Sequence, residues 1–347
     1  MSAPLAIGIL GCGGFVRRYH IPALRAAADA RLVAICDAAP NDAIHAVARE
    51  FGATVTDDIG RFLADETYEA VILSTPHGLH YEHAGRVLDA GRHLLVDKPF
   101  VGAVAEAEDL TRRAAERHLR GAVAFTRRFD KACLRARELI AAGAIGAVRY
   151  VESVQLGYER SGWFLDPLLG GGGPFTGRAS HIADLVPWLT GKEPLRVMGR
   201  LRWGTPGRTD FGGFVDVVYD GFECRMTCVE EGWHSWDEVR IFGDGGMIEL
   251  RRPLDLPIGW TLVRLGGNGT RVEEQLGADP EPGDATRDFI AALRTGRAPA
   301  CSFADARISV AIVEAAFASA RDDGCWIDLS ALAPIDTVLT SAEEGLT

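Results

Sequence analysis

The run LAIGIL (Leu5–Leu10) followed by GCGG (Gly11–Gly14) decides the fold of the first half of this chain. Six consecutive apolar residues are typical of a strand that is buried on both faces of a parallel sheet. The glycines interrupt this run before an amphipathic segment from Phe15 to Ala28. The order predicts a strand, a tight turn and a helix, which together open an α/β sheet.

The glycine turn carries part of a nucleotide-binding pattern. Gly11 and Gly13 occupy the first two positions of G-x-G-x-x-G, whereas Val16 occupies the third. Backbone N–H groups at such a turn can approach a pyrophosphate at the start of the helix. A second strand, Arg31–Cys36, ends at Asp37, about 20 residues beyond Val16, the spacing at which an acidic residue binds the ribose of NAD.

The pattern therefore predicts an NAD site and disfavours NADP. A carboxylate would repel the 2′-phosphate of NADP, and Ala38 and Ala39 offer no cation to neutralise it. The alternative is a plain strand-to-helix turn in which Asp37 is only a helix cap. The strand–helix–strand context favours the cofactor site. The residues expected to bind the cofactor are Gly11, Gly13, Gly14, Phe15 and Asp37.

Two later loops are expected at the same edge of this sheet. Strands at Ala70–Leu73 and His93–Asp97 continue the alternation of strand and helix. The loops that follow them, Ser74–His80 and Asp97–Phe100, then lie at the carboxyl edge, where open α/β proteins bind ligands. Lys98 is placed between a buried strand and a proline, a setting that can desolvate its ammonium group and lower its pKa. A surface lysine extending from the sheet edge is the alternative.

The loop after Ala70–Leu73 also contains two histidines, His77 and His80. Loops carry binding residues, but they also carry residues that only cap or face solvent. The sequence leaves both roles open for these two side chains.

From Phe129 onward, strands follow one another without intervening helices. Their alternation of polar and apolar residues predicts an α+β domain with a large, mostly antiparallel, open-faced sheet. The run Gly170–Gly173 interrupts the series and is costly to order, so its backbone is expected to pass close to another group. The expected strands are Val148–Tyr158, Arg196–Trp203, Gly213–Tyr219, Glu223–Val229, Glu238–Phe242, Met247–Leu250 and Trp260–Leu265.

A helix is predicted over Ser180–Leu189, and polar residues recur on it and just before it. Arg178, His181 and Asp184 are spaced i, i+3, i+6, so only neighbouring pairs are within reach of each other. If this face meets the cofactor, His181 is suited to act as a base toward a substrate hydroxyl. The alternative is a buried structural histidine bonded to Asp184.

Length, charge and cysteine usage limit the class of protein. The 347 residues favour two domains, which we place at 1–123 and 124–335, with a loose tail at 336–347. The net charge of −11 makes nucleic acid and anionic membranes poor partners. The seven cysteines are scattered without the spacing of a zinc site, which favours reduced thiols and no metal. No signal-like N-terminus or membrane-length apolar run is present, so we expect a cytoplasmic protein.

An ordered series of motifs, spread over nearly the whole chain, resembles the Gfo/Idh/MocA oxidoreductases. Each motif is weak alone, but their order is specific. The series comprises the G-x-G-G turn, Asp37, Thr75-Pro76 with His80, Asp97-Lys98-Pro99, Arg127-Arg128-Phe129-Asp130, Trp163 with Asp166 and the glycine run, His181-Ile182-Ala183-Asp184, Gly243-Asp244-Gly245-Gly246 and Arg287-Asp288-Phe289.

This resemblance implies an N-terminal Rossmann domain, a doubly wound parallel sheet that binds NAD(P), and a homodimer or homotetramer built through the open C-terminal sheet. The usual reaction is oxidation of a hydroxyl on a sugar, cyclitol or related polyol, or the reverse reduction. Lys98 would hold and polarise the reacting oxygen, and His181 would exchange its proton. The cofactor would also contact Thr75, Pro76, His80, Asp97 and Lys98, and the substrate would contact Lys98, Trp163, Arg178, His181 and Asp184.

One position departs from the family pattern. Many members have an acidic residue four positions before the histidine, where this chain has Gly177. Either Lys98 and His181 suffice for turnover, or the protein binds NAD and a ligand as a regulator or sensor. We favour the enzyme, since both residues are present. One proton-transfer group accelerates a reaction by about a hundred- to ten-thousand-fold, so its loss could slow turnover without abolishing it.

Overall fold

The computed structural model describes residues 3–157, 161–203, 210–230, 235–253, 260–276 and 283–329. The expected tail at 336–347 lies outside the described residues. So do Tyr158, the predicted end of a strand, and residues 280–282 of a linker that the sequence predicts at Pro280–Gly283.

The first half forms a parallel sheet of six strands in the order β3-β2-β1-β4-β5-β6. This order reverses direction between β1 and β4, which creates the crevice where doubly wound sheets bind nucleotides. β1 is buried along its entire length, as its unbroken apolar run predicts. The strands are β1 (Leu5–Leu10), β2 (Ala30–Cys36), β3 (Thr54–Thr56), β4 (Ala70–Leu73), β5 (His93–Val96) and β6 (Gly121–Val123).

Helices cover both faces of this sheet. The side chain of Asn41 caps one helix by accepting hydrogen bonds from the N–H groups of Ala43 and Ile44. Asp58 caps the next helix in the same way. The helices are α1 (Gly14–Ala26), α2 (Asp42–Phe51), α3 (Ile59–Ala64), α4 (His80–Asp89) and α5 (Val104–Glu116).

The second half forms a sheet of nine strands, and its order is β14-β13-β12-β11-β7-β10-β9-β8-β15. Among the described strands of this sheet, only β7 and β10 pair in parallel, so the predicted mostly antiparallel sheet is confirmed. The strands are β7 (Val148–Leu156), β8 (Pro194–Trp203), β9 (Asp210–Tyr219), β10 (Phe222–Val229), β11 (Trp236–Gly243), β12 (Gly246–Pro253), β13 (Thr261–Gly266), β14 (Arg271–Gln275) and β15 (Ile327–Asp328).

The helix expected over Ser180–Leu189 is longer than the sequence indicated. It begins at Pro174 and ends at Thr190, and we label it α7; α6 (Lys131–Ala141) precedes it. Gly173, with a φ of 91°, ends the glycine run in a conformation that favours glycine, and proline is well suited to the first turn of a helix. The earlier start places Gly177 and Arg178 on the same helix as His181.

Two strands were not predicted. β3 has three residues and lies at the edge of the first sheet. β14, which contains a single apolar residue, Val272, lies at the edge of the second sheet. Both are edge strands with little apolar surface to bury, so hydrophobic patterning gives them no clear signal.

The last two helices, α8 (Asp284–Thr295) and α9 (Phe303–Arg321), return to the first sheet. Phe289 of α8 is buried in the cluster that contains β1 and α1. Phe303 of α9 stacks on Phe100 with ring centroids 4.5 Å apart. The two halves therefore share core contacts. Within the described residues, no helix is both long and apolar enough to cross a membrane.

The glycine turn gives a test of this fold. Gly11 has a φ of +85°, and a Cβ built on it would lie 2.6 Å from the carbonyl oxygen of Ser74. We expect Gly11→Ala to lower the free energy of unfolding by about 2 kcal/mol or more, since the left-handed conformation alone costs about 1–2 kcal/mol. Urea denaturation measures this change.

Gly13→Ala is the matched control. Gly13 has a φ of −68°, which alanine adopts readily, and a Cβ there has no neighbour within 4 Å. Its stability should stay within about 0.5 kcal/mol of the wild type. Equal destabilisation by the two substitutions would contradict this account of the turn.

Candidate active site

The glycine turn and the end of β2 form one unit. The carboxylate of Asp37 accepts hydrogen bonds from the N–H of Cys12 at 2.8 Å and from the N–H of Ala39 at 3.0 Å. Gly14 and Phe15 begin α1, and Phe15 is 36% exposed. Open space beside Gly13, a helix N-terminus and a fixed carboxylate together fit the pyrophosphate and ribose of a dinucleotide.

His80 connects the two loops that follow β4 and β5. Its ring is fully buried, and Nδ1 lies 2.8 Å from the carbonyl oxygen of Pro99 and 3.2 Å from that of Phe100. Nε2 lies 2.9 Å from the carbonyl oxygen of Thr75. Burial lowers the pKa of this histidine, although the carbonyl contacts oppose the shift. His80 therefore holds the two loops together. Its side chain is not exposed and so does not line a cofactor site.

Thr75 and Pro76 lie above His80 at the end of β4, and both are partly exposed. The hydroxyl of Thr75 is 3.0 Å from Nδ1 of His83, a residue that the sequence did not single out. These two residues remain available to contact a bound ligand.

Asp97 is held inside the site. Its carboxylate accepts a hydrogen bond of 2.5 Å from the Ser74 hydroxyl, and its other oxygen lies 3.6 Å from Nε2 of the buried His20. The opposite ring nitrogen of His20 is 2.7 Å from the hydroxyl of Thr286 on α8. These contacts anchor Asp97, the residue that precedes Lys98, and only 6% of the Asp97 surface is exposed.

Lys98 reaches from the first half of the chain to the second. It is joined to Pro99 by a cis peptide bond, and its Nζ donates to the carbonyl oxygen of Gly177 at 3.1 Å. Gly177 lies one turn before His181 on α7. The structure therefore brings the lysine to the helical turn next to His181.

His181 is held as a neutral imidazole. Its Nδ1 is buried and makes no hydrogen bond to the described residues. Burial lowers the pKa of His181 well below its usual value, and the charges of Lys98, Arg127 and Arg178 lower it further. A neutral imidazole near a lysine ammonium can accept a proton from a hydroxyl that the ammonium binds.

Asp184 is not bonded to His181, so the alternative in which the two form a structural pair is wrong. Its carboxylate instead pairs with Arg128, with distances of 2.6 Å from Nη2 and 3.0 Å from Nε. Burial raises the pKa of Asp184, and the guanidinium opposes this shift. With 3% of Asp184 exposed, this carboxylate fixes α7 in place and does not face a substrate.

Arg178 also has a protein partner. Its Nε donates to the carboxylate of Glu230 at the end of β10, and 11% of its side chain is exposed. Nearby, Arg127 pairs with Asp237 of β11. The sequence did not indicate Glu230 or Asp237, because a buried ion pair between distant strands leaves no local pattern.

The glycine run passes close to the loop after β4, as predicted. A Cβ built on Gly171 would lie 2.9 Å from Cβ of His77, and just before the run the carbonyl oxygen of Leu169 accepts a hydrogen bond from the N–H of Gly78 at 2.9 Å. Trp163 stacks on Phe164 with centroids 3.7 Å apart, and its ring meets His77 edge-on at 4.9 Å. Trp163 therefore borders the site through His77.

The burial of His80 gives a prediction on pH and stability. Burial lowers the pKa of His80 in the folded state, so the unfolded chain, in which a histidine titrates at about pH 6.5, takes up a proton more readily. The stability that His80 contributes is therefore complete above pH 6.5 and is lost as the pH falls below it. We expect His80→Gln to cost about 1–3 kcal/mol at pH 8.

Urea denaturation at pH 8 and pH 5 measures the effect. The difference in unfolding free energy between wild type and His80→Gln should shrink at pH 5. The exposed His45 on α2 provides the control, since His45→Gln should leave stability unchanged at both pH values. A difference that stays constant or grows on acidification would contradict the assignment.

Two family models match this sequence. One is described as an oxidoreductase family with an NAD-binding Rossmann fold and matches residues 5–125. The other is the GFO/IDH/MocA C-terminal domain and matches residues 133–249. The first match includes Lys98, and the second includes His181.

Similar proteins include dehydrogenases of sugars and cyclitols. Inositol 2-dehydrogenase of Rhizobium meliloti is 27% identical over 91% of this chain and 96% of its own length. D-glucoside 3-dehydrogenase of Escherichia coli is 29% identical over 55% of each chain, so this chain matches about half of that protein. The structure of GenD2 from gentamicin A biosynthesis, in complex with NAD, has a TM-score of 0.82 at 24% identity and covers 95% of this chain and 98% of its own.

The matches to the two domains agree with the six-stranded parallel sheet and the large antiparallel sheet. The chain belongs to the Gfo/Idh/MocA family of oxidoreductases, whose NAD(P)-binding Rossmann domain it shares.

Proposed function

We propose that this protein is an NAD-dependent dehydrogenase that moves a hydride between nicotinamide and a hydroxyl-bearing carbon of a sugar, cyclitol or related polyol. The proposal rests on one observation: Lys98 donates a hydrogen bond to the carbonyl oxygen of Gly177, in the turn of α7 next to His181. Lys98 is a cation that can bind an oxygen, and His181 is a neutral base that can accept the proton of that oxygen. Lys98 follows β5 and contacts the turn of α7 next to His181. This pair suits the oxidation of an alcohol.

Each residue has a separate task. A bound nicotinamide supplies the hydride acceptor. Lys98 holds the substrate oxygen and stabilises the negative charge that grows on it as its proton leaves. His181 accepts that proton at a ring nitrogen, and burial together with the cations around it keeps the imidazole unprotonated beforehand.

The substrate class rests on the similar proteins and on the surroundings of the site. Relatives named for inositol and D-glucoside act on polyhydroxylated rings. Trp163 and Phe164 place aromatic surface next to His77. We assign Trp163 to the border of the substrate site, and Arg178 and Asp184 to its support, because both are engaged in ion pairs. Cytoplasmic location and a homodimer or homotetramer remain predictions.

Replacement of Lys98 tests the catalytic role. We expect Lys98→Met to lower kcat by about a hundred- to a thousand-fold, because the developing charge on the oxygen loses its cation. Nicotinamide absorbance, followed over a panel of inositols, sugars and sugar acids, reports the rate. The exposed Lys131 of α6 is the control, and Lys131→Met should leave kcat unchanged.

An unchanged kcat in Lys98→Met would contradict this assignment. Tight NAD binding without turnover on any member of the panel would instead favour the second candidate, a regulator or sensor. That candidate is supported by Gly177, since the acid common at this position is absent.

Asp37 determines the cofactor in this proposal. Its carboxylate is fixed by two backbone N–H groups at the end of β2, and the neighbouring Ala38 and Ala39 are exposed and uncharged. A 2′-phosphate would meet this carboxylate without a cation to offset it. We therefore expect wild type to bind NAD at least about tenfold more tightly than NADP, a difference of about 1.4 kcal/mol.

Fluorescence titration of both cofactors measures this preference. Asp37→Asn keeps one of the two oxygen acceptors for the backbone N–H groups but removes the charge, so it should improve NADP binding and narrow the difference in affinity between NAD and NADP. Equal or tighter binding of NADP by the wild type would contradict the role of Asp37.

A further inference from the structure

His77 is a titratable residue at the site to which the proposed mechanism gives no task. It lies in the loop after β4, where its ring meets the rings of Trp163 at 4.9 Å and Phe164 at 5.6 Å. A Cβ on Gly171 would lie 2.9 Å from Cβ of His77, so the glycine run packs directly against this residue. Neighbours from both halves of the chain therefore hold the imidazole in one place.

The ring of His77 covers the position at which the family's acidic side chain is missing. A Cβ built on Gly177 would lie 3.7 Å from Cε1 of His77, the nearest atom outside the helix backbone. The carbonyl oxygen of the same glycine accepts the hydrogen bond from Lys98. The imidazole and the lysine ammonium thus approach the same turn of α7.

His181 follows Gly177 by four residues, and side chains four apart on a helix lie on one face, with Cβ atoms about 5–6 Å apart. His77 therefore covers the turn next to the proposed base. A bound water can bridge two polar groups that do not hydrogen-bond directly to each other.

His181 also needs a group that receives its proton. Its surroundings are cationic, since Lys98, Arg127 and Arg178 all act on it, and its Nδ1 is buried. A proton that arrives from the substrate is therefore poorly retained there. His77 lines a cavity of about 330 Å³, together with the acidic residues Glu106 and Glu314 and the hydroxyl-bearing Tyr81.

We propose that His77 is a proton-relay residue that replaces the missing acid at position 177. This proposal rests on the dehydrogenase function. In the oxidation, a bound nicotinamide would accept the C–H electron pair as hydride, and the O–H proton would pass to His181. From there the proton moves through a bound water to His77, and then through the cavity to solvent. Reduction of a carbonyl follows the same path in reverse.

Two substitutions separate proton relay from packing. His77→Gln keeps a polar side chain of similar size, and His77→Phe keeps a ring for the aromatic contacts, but neither transfers protons in this pH range. We expect both to lower kcat about a hundred-fold or more, while KM for NAD changes less than threefold. The pH profile of kcat should lose the ionisation that His77 contributes. The exposed His45→Gln is the matched control.

A compensating pair gives the sharpest readout. His77→Ala vacates the space beside Gly177, and adding Gly177→Asp in that background places a carboxylate there. We expect the double variant to be at least tenfold more active than His77→Ala alone, because the relay regains a proton acceptor. Melting temperatures and NAD titrations of each variant establish that folding and cofactor binding are retained.

Three results would overturn the proposal. One is a His77→Phe enzyme with at least half the wild-type kcat and an unchanged pH profile, which would make His77 a packing residue. Another is a double variant no more active than His77→Ala. A wild type without turnover on any polyol would remove the dehydrogenase function and the relay with it, whereas loss of the relay alone leaves wild-type turnover intact.

Discussion

The site depends on one buried side chain that joins two loops. His80 has no exposed surface, and its ring nitrogens contact the carbonyl oxygens of Thr75, Pro99 and Phe100. Buried polar groups are costly when they lack partners, so these contacts fix the loop after β4 relative to the loop after β5. The first loop carries Thr75 and His77, and the second carries Lys98. The positions of the residues proposed to act on substrate and cofactor follow from this connection.

The second half of the chain supplies the base through buried ion pairs. Arg128 binds Asp184, and Arg178 binds Glu230, so α7 is attached to the loop after β6 and to the end of β10. Such pairs add little net stability, because burying each charge is expensive, but they orient the helix. Burial lowers the pKa of His181, and the nearby charges of Lys98, Arg127 and Arg178 lower it further, so its imidazole is neutral.

The sequence was informative where structure follows from local pattern. The apolar runs placed β1 at Leu5–Leu10 and β4 at Ala70–Leu73 with the bounds that the structure has. The family motifs indicated Lys98 and His181 before any distance was known. Pairings between distant residues were not predictable, and Asp184 bonds to Arg128, 56 residues away, and not to the nearby His181. His80 shows the same limit, since its sequence motif does not reveal that the ring faces inward.

The central claim is that Lys98 and His181 hold one reacting oxygen between them. A crystal structure of the wild type with NADH and a sugar or polyol measures this directly. The account predicts one ligand oxygen about 2.6–3.2 Å from both Lys98 Nζ and a ring nitrogen of His181. Its carbon should lie about 3–3.5 Å from the nicotinamide ring. A ligand whose oxygens contact neither residue, in a complex with the cofactor bound, would contradict it.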